Sequence, residues 1–196
     1  MVHLKAAGAS APARPRRRRR ASALLTTVAL VALTALPTSA SAAPGTVFTD
    51  GPDPLGADIR RVRVIHTDSS LTVRVRMARI VHLASNRGQS LTLFVDTDRS
   101  DPGPEVALTT GLNEGTDWAV RRVATWGRWG RVLHCDSDVR INWRTDRVRV
   151  TLSRDCLGDA RSVRVALKSR EVRTGTEPRA DWLQGRRQWT APAARR

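Results

Sequence analysis

Five acidic residues at short spacings form the part of the sequence best suited to chemistry. The segment D-T-D-R-S-D-P-G-P-E contains Asp96, Asp98, Asp101 and Glu105, and Asp117 follows in the next turn-forming stretch. Calcium prefers about six to eight oxygen ligands, so these five side chains are candidate metal ligands. The segment lacks the glycine and glutamate positions of an EF-hand loop, and Asp, Ser, Pro and Gly also form turns for local reasons. The sequence leaves a calcium site and a solvated turn both open.

Paired carboxylates are also the catalytic groups of most glycoside hydrolases. Asp96 with Glu105 or Asp117 is the candidate pair, although nothing in the spacing fixes the separation of the two groups. The sequence contains no G-x-S-x-G, H-E-x-x-H or P-loop motif. After residue 42, the three histidines lie in or beside strand-like runs: His66, His82 and His134. We therefore expect a non-catalytic binding or cell-envelope module without catalytic residues, and keep a carbohydrate-active or other hydrolase using loop 96–105 as the alternative.

Two tryptophans beside glycines are candidates for ligand stacking. Trp126 and Trp129 stand three residues apart in W-G-R-W-G. Indole rings suit the CH faces of sugars, and they also dominate the cores of small β domains. The sequence therefore leaves a sugar-binding platform and core packing open for this pair. The other four tryptophans are expected to pack in the core or between strands: Trp118, Trp143, Trp182 and Trp189.

The first 42 residues have the composition of a secretory signal peptide. They contain seven basic residues and no acidic residue, and residues 21–36 form a run made mostly of Ala, Leu, Val and Thr. The run is shorter than the roughly 20 apolar residues of a membrane span, and small residues follow it. We predict cleavage after Ala40 or Ala42 and a secreted, extracellular protein. An uncleaved anchor, and the choice between general secretory and twin-arginine export, remain open.

The positive charge is distributed unevenly along the chain. The full sequence has a formal net charge of +16, and without the seven signal-segment charges 27 basic and 18 acidic residues remain, a net charge of +9. All of these basic residues except Lys168 are arginines, and they alternate with apolar residues in runs such as 73–77 and 147–150. That pattern predicts the solvated faces of strands spread along the chain rather than a localised basic stripe.

The charge distribution and composition suggest classes of partner. We expect no specific nucleic-acid partner and no transmembrane span after signal cleavage, and we expect cell-wall or extracellular polysaccharide as the partner. Binding of anionic cell-wall polymers or nucleic acid through the arginines is a third class of function. In that case the affinity would fall steeply with salt.

Short apolar or alternating runs recur along the chain between turn-forming clusters. Nine such runs are predicted as strands: Val62–His66, Leu71–Ile80, Ser90–Val95, Val106–Thr110, Trp118–Thr125, Arg131–His134, Val139–Trp143, Arg147–Leu152 and Ser162–Leu167. Strands at this spacing indicate an all-β fold, an antiparallel, jelly-roll-like β-sandwich. We place a flexible lead-in at residues 43–56, a single sandwich domain at 57–190 and a loose tail at 191–196.

The two cysteines predict a disulfide together with a strand register. A two-residue turn at 145–146 would pair Ile141 with Val150 and, further along, Cys135 with Cys156. The same register places the apolar residues of both strands on one face. Export would supply an oxidising compartment, and the sequence has no C-x-x-C motif or paired metal-ligand spacing. We therefore predict a structural Cys135–Cys156 disulfide.

The order of several segments resembles that of a known group of proteins. The segments are Asp58–Val64, Leu71–Val75, Leu91–Asp98 and Gly115–Trp118. This succession resembles small exported actinobacterial proteins of unassigned function and, more distantly, β-sandwiches of the DOMON and family 9 carbohydrate-binding type. The resemblance implies a ligand-binding or interaction module for sugar or calcium rather than an enzyme. It does not extend to haem, because the chain after the signal segment has Met77 alone and no evident His/Met ligand pair.

Overall fold

The computed structural model describes residues 45–53, 57–83 and 87–196. Within these ranges the chain forms twelve strands and one short helix. The strands are β1 (Thr46–Thr49), β2 (Ile59–His66), β3 (Ser70–Met77), β4 (Arg87–Asp96), β5 (Val106–Gly111), β6 (Trp118–Thr125), β7 (Arg128–Val132), β8 (Ser137–Asn142), β9 (Arg147–Ser153), β10 (Ser162–Arg173), β11 (Arg179–Trp182) and β12 (Ala193–Ala194). Helix α1 spans Arg154–Leu157. The predicted signal peptide, residues 1–42, lies outside the described residues.

The strands form two antiparallel sheets. The first sheet has the order β1-β2-β3-β9-β8. The second has the order β11-β10-β4-β5-β6-β7, and β12 also pairs with β10. The inner faces of the two sheets enclose a common apolar core. The predicted fold class, an antiparallel β-sandwich, is therefore confirmed.

Alternation of apolar and polar residues determines which side of each strand faces the core. In β3, Leu71, Val73 and Val75 are buried, whereas Arg74 and Arg76 are exposed. Leucines of the second sheet meet these side chains from the other side of the core, and the fully buried ones include Leu91, Leu93, Leu108 and Leu167. Burial of apolar surface stabilises the fold by about 25 cal/mol per Å². The same alternation leaves the arginines of β3 on the outer face of the first sheet.

Three strands of the structure are absent from the sequence prediction. Strand β1, within the predicted flexible lead-in, pairs with β2 and buries Phe48. Strand β11 pairs with the part of β10 that extends beyond the predicted end of that strand. Strand β12 lies in the predicted loose tail, where Ala193 is buried and its carbonyl oxygen lies 3.2 Å from Nδ1 of His66. These segments have only two to four residues, too few to show a period.

The β8–β9 hairpin has a different register from the predicted one. Ile141 lies opposite Val148 rather than Val150, a shift of two residues. The turn contains four residues, 143–146, and the backbone N–H of Thr145 donates to the Asn142 side-chain oxygen at 3.0 Å. A shift of two residues keeps every side chain on its predicted face, so the apolar pattern cannot detect it. The prediction was right about the faces and wrong about the pairing.

The predicted disulfide is present. Cys135 and Cys156 are bonded, with a Cα–Cα distance of 5.4 Å and a sequence separation of 21. Cys156 lies in α1 and is fully buried, so the bond joins the segment before β8 to the segment after β9 rather than two ladder positions. Across the described ranges, the structure contains no helix that is both long and apolar enough to cross a membrane.

Candidate anion-binding site

Seven arginines converge on the outer face of the first sheet. They are Arg61 and Arg63 of β2, Arg74 and Arg76 of β3, Arg140 of β8, and Arg147 and Arg149 of β9. These seven residues are called the arginine face below. They come from segments as far apart as β2 and β9, and the sheet brings them together because β3 pairs with both of those strands.

The strand register arranges these arginines in two rows that cross the strands. One row runs through Arg63, Arg74, Arg149 and Arg140, which are successive partners on β2, β3, β9 and β8. The other row runs through Arg61, Arg76 and Arg147 and ends at Asn142. Because side chains two residues apart on a strand share a face, both rows point outward.

The charge of this surface is almost uncompensated. Arg140 bonds the Asp138 carboxylate at 2.8 Å. In the ranges that the structure describes, the other six members form no ion pair with a carboxylate. Like charges directly opposite each other on neighbouring strands are destabilising. An anion placed between the rows would relieve that repulsion and gain charge-assisted hydrogen bonds.

A shallow trough of about 690 Å³ lies over this face. All seven members of the arginine face line it, together with Val75, Ile141, Asn142 and Val148. The described lining includes neither a carboxylate nor an aromatic ring. The trough therefore presents guanidinium groups, aliphatic stems and one amide to whatever lies in it.

Two of the five predicted metal ligands are buried or half-buried and are held by contacts within the protein. Asp96, at the end of β4, is buried and accepts a hydrogen bond at 2.6 Å from Nε of Arg164. Glu105 accepts hydrogen bonds from the Thr97 backbone N–H at 2.6 Å and from the Thr97 hydroxyl at 3.2 Å. Burial raises the pKa of Glu105, and the hydrogen bonds from Thr97 oppose that rise. Asp96 thus holds strand β10 against the end of β4, and Glu105 holds the loop that follows β4.

The remaining three predicted metal ligands lie at the surface. Asp98 accepts hydrogen bonds from the backbone N–H and hydroxyl of Ser100, which lower the pKa of Asp98. Asp101 and Asp117 are exposed. Throughout the described ranges, no three His, Cys, Asp or Glu side chains are placed to hold a metal ion. The loop at 96–105 is a hydrogen-bonded turn, and its four acids together with Asp117 do not form a cage.

The two tryptophans predicted as a stacking pair have different surroundings. Trp126 is half-buried against Phe94 at 5.1 Å, Trp182 at 5.7 Å and Trp189 at 4.6 Å between ring centroids. These rings cover the outer face of the second sheet around β4. Trp143, also half-buried, donates its indole N–H to the Leu112 carbonyl oxygen at 2.8 Å. Core or strand packing therefore accounts for these tryptophans.

Trp129 also contacts Phe94, at 6.0 Å between ring centroids, but it lies with Trp118 beside an open groove of about 400 Å³. Trp129 is 44% exposed and Trp118 is 41% exposed, so neither ring lies in the core. The Trp118 indole N–H donates to the Ser137 hydroxyl at 3.1 Å, which fixes the ring at the edge of the sandwich. Thr109 and Arg121 supply polar groups to the same groove.

A group of buried carboxylates lies at the start of β2. Asp58 forms an ion pair with Arg60 Nη2 and accepts a hydrogen bond from the Asp53 backbone N–H, both at 2.9 Å, and burial raises the pKa of Asp58. Asp181 accepts the Ile59 backbone N–H at 2.8 Å. Burial, a hydrogen bond with the Asp53 side chain and the charges of nearby aspartates raise the pKa of Asp181 to about 6. No local sequence pattern indicates this group, because its members are brought together by strand β11.

Sequence reasoning kept anion binding through the arginines only as a third class of function and did not locate the arginine face. It placed the arginines of 73–77 and 147–150 correctly on outward strand faces but treated them as dispersed along the chain. The signal that could have revealed the site was the repeated Arg-x-Arg pattern of three strands, at 61–63, 74–76 and 147–149. That pattern becomes a site only when the strands are neighbours, which depends on pairing between distant segments.

The fold and site define a β-sandwich with one disulfide and a cationic outer sheet face. Comparison of the sequence with protein-family models and with curated proteins finds no match. The function is therefore inferred from the geometry of the site.

Proposed function

We propose that this chain is an exported, non-catalytic binding module whose arginine face binds an anionic extracellular polymer. The observation that carries the proposal is the pairing of seven arginines in two adjacent rows with Asp138 as their one carboxylate partner among the described residues. Arginine suits this role because its planar guanidinium binds carboxylate and phosphate groups through two parallel hydrogen bonds.

A polymer fits this surface better than a small anion does. Six of the seven arginines are exposed, and single exposed ion pairs contribute only about 0–1 kcal/mol each. Affinity must therefore come from many contacts made at once, which a chain with repeated charges supplies through a high effective concentration of the next charge. The two rows offer such a repeated arrangement.

The expected location agrees with this partner. The predicted signal segment would export the chain, and the Cys135–Cys156 disulfide suits an oxidising compartment. Cell-wall and extracellular polysaccharides are the polymers present there, and many carry acidic groups. Export and anion binding together favour a cell-envelope module.

Binding to an immobilised polyanion over a range of NaCl concentrations tests the proposal. The logarithm of the affinity should fall linearly with the logarithm of the salt concentration. The variant Arg74→Gln/Arg147→Gln/Arg149→Gln should bind much more weakly, with a slope reduced by about one for each arginine that no longer pairs with the polymer. Its matched control is Arg99→Ser/Arg128→Gln/Arg170→Gln, which removes the same charge from exposed positions elsewhere.

Two outcomes would contradict the proposal. One is an equal loss of affinity in the two triple variants, which would mean that net charge alone matters. The other is no binding by the wild-type protein to any polyanion at low salt. Circular dichroism and thermal unfolding of both variants establish that they are folded.

A second candidate function rests on the groove between the exposed rings of Trp118 and Trp129. Indole faces stack on sugars, and Thr109 and Arg121 could hydrogen-bond sugar hydroxyls. We propose neutral sugar binding there as the alternative. Trp129→Ala should then abolish retention on a neutral polysaccharide without changing the salt-dependent binding of a polyanion. Retention unchanged by Trp129→Ala would exclude the groove as a sugar site.

A further inference from the structure

The geometry of the arginine face also indicates the class of polymer and its direction. We infer that the ligand is a linear acidic polysaccharide with one acidic group on each successive sugar ring, and that a single chain lies across the strands, between the two rows. This inference rests on the proposed function, because it identifies the ligand of the same site.

The direction of the bound polymer follows from the arrangement of the seven arginines. Along any one strand the face contains at most two arginines, such as Arg74 and Arg76 of β3. Across the strands, one row contains four arginines and the other three. A polymer that follows a strand leaves the cationic surface after about 7 Å, whereas one that crosses the strands stays on it for about 14 Å. The longer path makes more ion pairs, so the crossing direction is favoured.

The spacing of the charges follows from the strand separation. Neighbouring strands lie about 4.8 Å apart, so each row offers one guanidinium at about that interval. One ring of an extended polysaccharide advances the chain by a similar distance, close to one strand separation of about 5 Å. An acidic group on every ring therefore meets an arginine at every strand, and an acidic group on every second ring would use only half of them.

Neutral hydrogen-bonding groups border the middle of the rows, and Ile65 and Asp138 occupy the flanking positions on β2 and β8. Beside the four-arginine row, the next outward positions on β3 and β9 are Thr72 and Thr151, which are directly opposite each other. Both threonines are half-buried. The three-arginine row ends at Asn142. Hydroxyl and amide groups next to guanidinium groups suit a ligand that carries hydroxyls beside its acidic groups.

The composition of the trough favours sugar acids over nucleic acid. Proteins that bind single-stranded nucleic acid combine cationic grooves with aromatic rings on which bases stack. The described lining of the trough has no aromatic side chain. Duplex DNA is read by a helix or a two-stranded ribbon inside the major groove, and a flat face of a five-stranded sheet cannot enter that groove.

The ends of the rows set the length of the bound segment. At the β1 edge the rows continue into Val47 and Thr49, which carry no charge. At the β8 edge, Arg140 already pairs with Asp138. The cationic surface is therefore three to four strands wide. We expect affinity to rise with the number of acidic sugar rings up to about four and then to level off.

The length of the bound segment is tested by titration with galacturonic acid oligomers at one low salt concentration. The oligomers have two, three, four, six and eight rings. The expected result is a steep rise in affinity up to four rings and little change beyond. Two probes with similar numbers of charges, an oligo-dT and a DNA duplex, should bind at least tenfold more weakly. Binding of the DNA probes as tight as that of the octamer would overturn this inference and leave the proposed function intact. Failure of every probe would overturn both.

A pair of double variants tests the direction. Arg61→Gln/Arg63→Gln removes both arginines of β2, at one end of the two rows, so affinity should level off about one ring earlier. Arg74→Gln/Arg149→Gln removes the same charge from the middle of one row. The affinity for each oligomer should then be lower than that of the wild type, but it should still rise with oligomer length up to four rings. Affinity that levels off at the same oligomer length in both variants would exclude a chain that crosses the strands.

Discussion

Arg74 on β3 stands directly opposite Arg149 on β9, and both side chains point away from the core. Each also has a second arginine as its partner on the other side, Arg63 for Arg74 and Arg140 for Arg149. Four like charges in a row cost stability. An anion bound between the rows would neutralise these charges and remove that cost.

Removal of one of these charges is expected to stabilise the free protein. Arg149→Gln keeps much of the aliphatic stem and removes two repulsive interactions, those with Arg74 and Arg140. The free energy of unfolding at low salt should rise by several tenths of a kcal/mol, up to about 1 kcal/mol. Urea denaturation followed by tryptophan fluorescence measures this change.

The salt dependence of the free energy of unfolding identifies the cause of the stabilisation by Arg149→Gln. In about 1 M NaCl, where the Debye length is about 3 Å, the difference between Arg149→Gln and the wild type should become small. The control Arg170→Gln, at an exposed position of β10 in the second sheet, should change stability little at either salt concentration. A stabilisation by Arg149→Gln that persists unchanged at high salt would show that repulsion is not its source.

The sequence was sufficient for the fold class because burial imposes a period of two. β3 shows this clearly, since its buried apolar residues and outward polar residues alternate without interruption from Leu71 to Met77. The same rule could not give the β8–β9 register, because a shift of two residues leaves the pattern unchanged. That register depends on local turn chemistry, in which Asn142 accepts a backbone hydrogen bond and Asp146 adopts a left-handed φ of 53°.

The site was less predictable because it depends on pairing between distant segments. Arg74 and Arg149 are neighbours only because β3 pairs with β9, and no local feature of either segment specifies that pairing. The acidic loop had the opposite character. Its residues are close in sequence, but the carboxylate of Asp96 pairs with Arg164 of β10. Arg164 lies beside Asp96 only because β10 pairs with β4, two strands that are distant in sequence.

Loss of the disulfide is expected to destabilise the protein without changing its fold. The bond closes a loop with a sequence separation of 21, for which the chain-entropy model gives about 3 kcal/mol. Cys135→Ala/Cys156→Ala should therefore lower the midpoint of urea unfolding substantially. Reductant should have the same effect on the wild type and none on the variant. Equal stability of the wild type with and without reductant, under conditions shown to reduce the bond, would contradict the expectation.

Arg164 is expected to be more important for stability than most of the surface arginines. Its guanidinium pairs with the buried carboxylate of Asp96 and lies 5.5 Å from the Trp189 ring. Arg164→Met should cost about 3 kcal/mol, because it leaves a buried charge without a partner. The double variant Asp96→Asn/Arg164→Met removes that charge and should recover part of the loss. Equal destabilisation in the single and double variants would show that the ion pair is not responsible.

Added calcium is expected to leave the thermal stability of the protein unchanged. The carboxylate of Asp96 accepts a hydrogen bond from Arg164, and the carboxylate of Glu105 accepts hydrogen bonds from Thr97. An ion would have to displace these partners before using either carboxylate. Thermal unfolding with calcium and then with a chelator checks this expectation. A rise in Tm that the chelator reverses would contradict it and restore the acidic loop as a metal site.

Stability is expected to fall as the pH rises through the range in which Asp181 loses its proton. Burial and the neighbouring Asp53 raise the pKa of Asp181 to about 6 from an ordinary value of 3.8. The folded state therefore holds this proton more tightly than the unfolded state does. The resulting stabilisation is complete below about pH 4 and is lost as the pH rises through about 6, with a total change of about 2–3 kcal/mol.

Comparison with Asp181→Asn isolates this contribution from the other titrating groups. The amide can still accept the Ile59 backbone N–H, but it does not titrate. The wild type should therefore lose stability relative to Asp181→Asn between pH 4 and pH 6.5, measured by urea unfolding at each pH. Asp53→Asn should reduce the size of that loss, because Asp53 contributes to the raised pKa of Asp181, whereas the exposed Asp155→Asn should leave it unchanged. A constant difference between the wild type and Asp181→Asn across this pH range would mean that Asp181 does not titrate there.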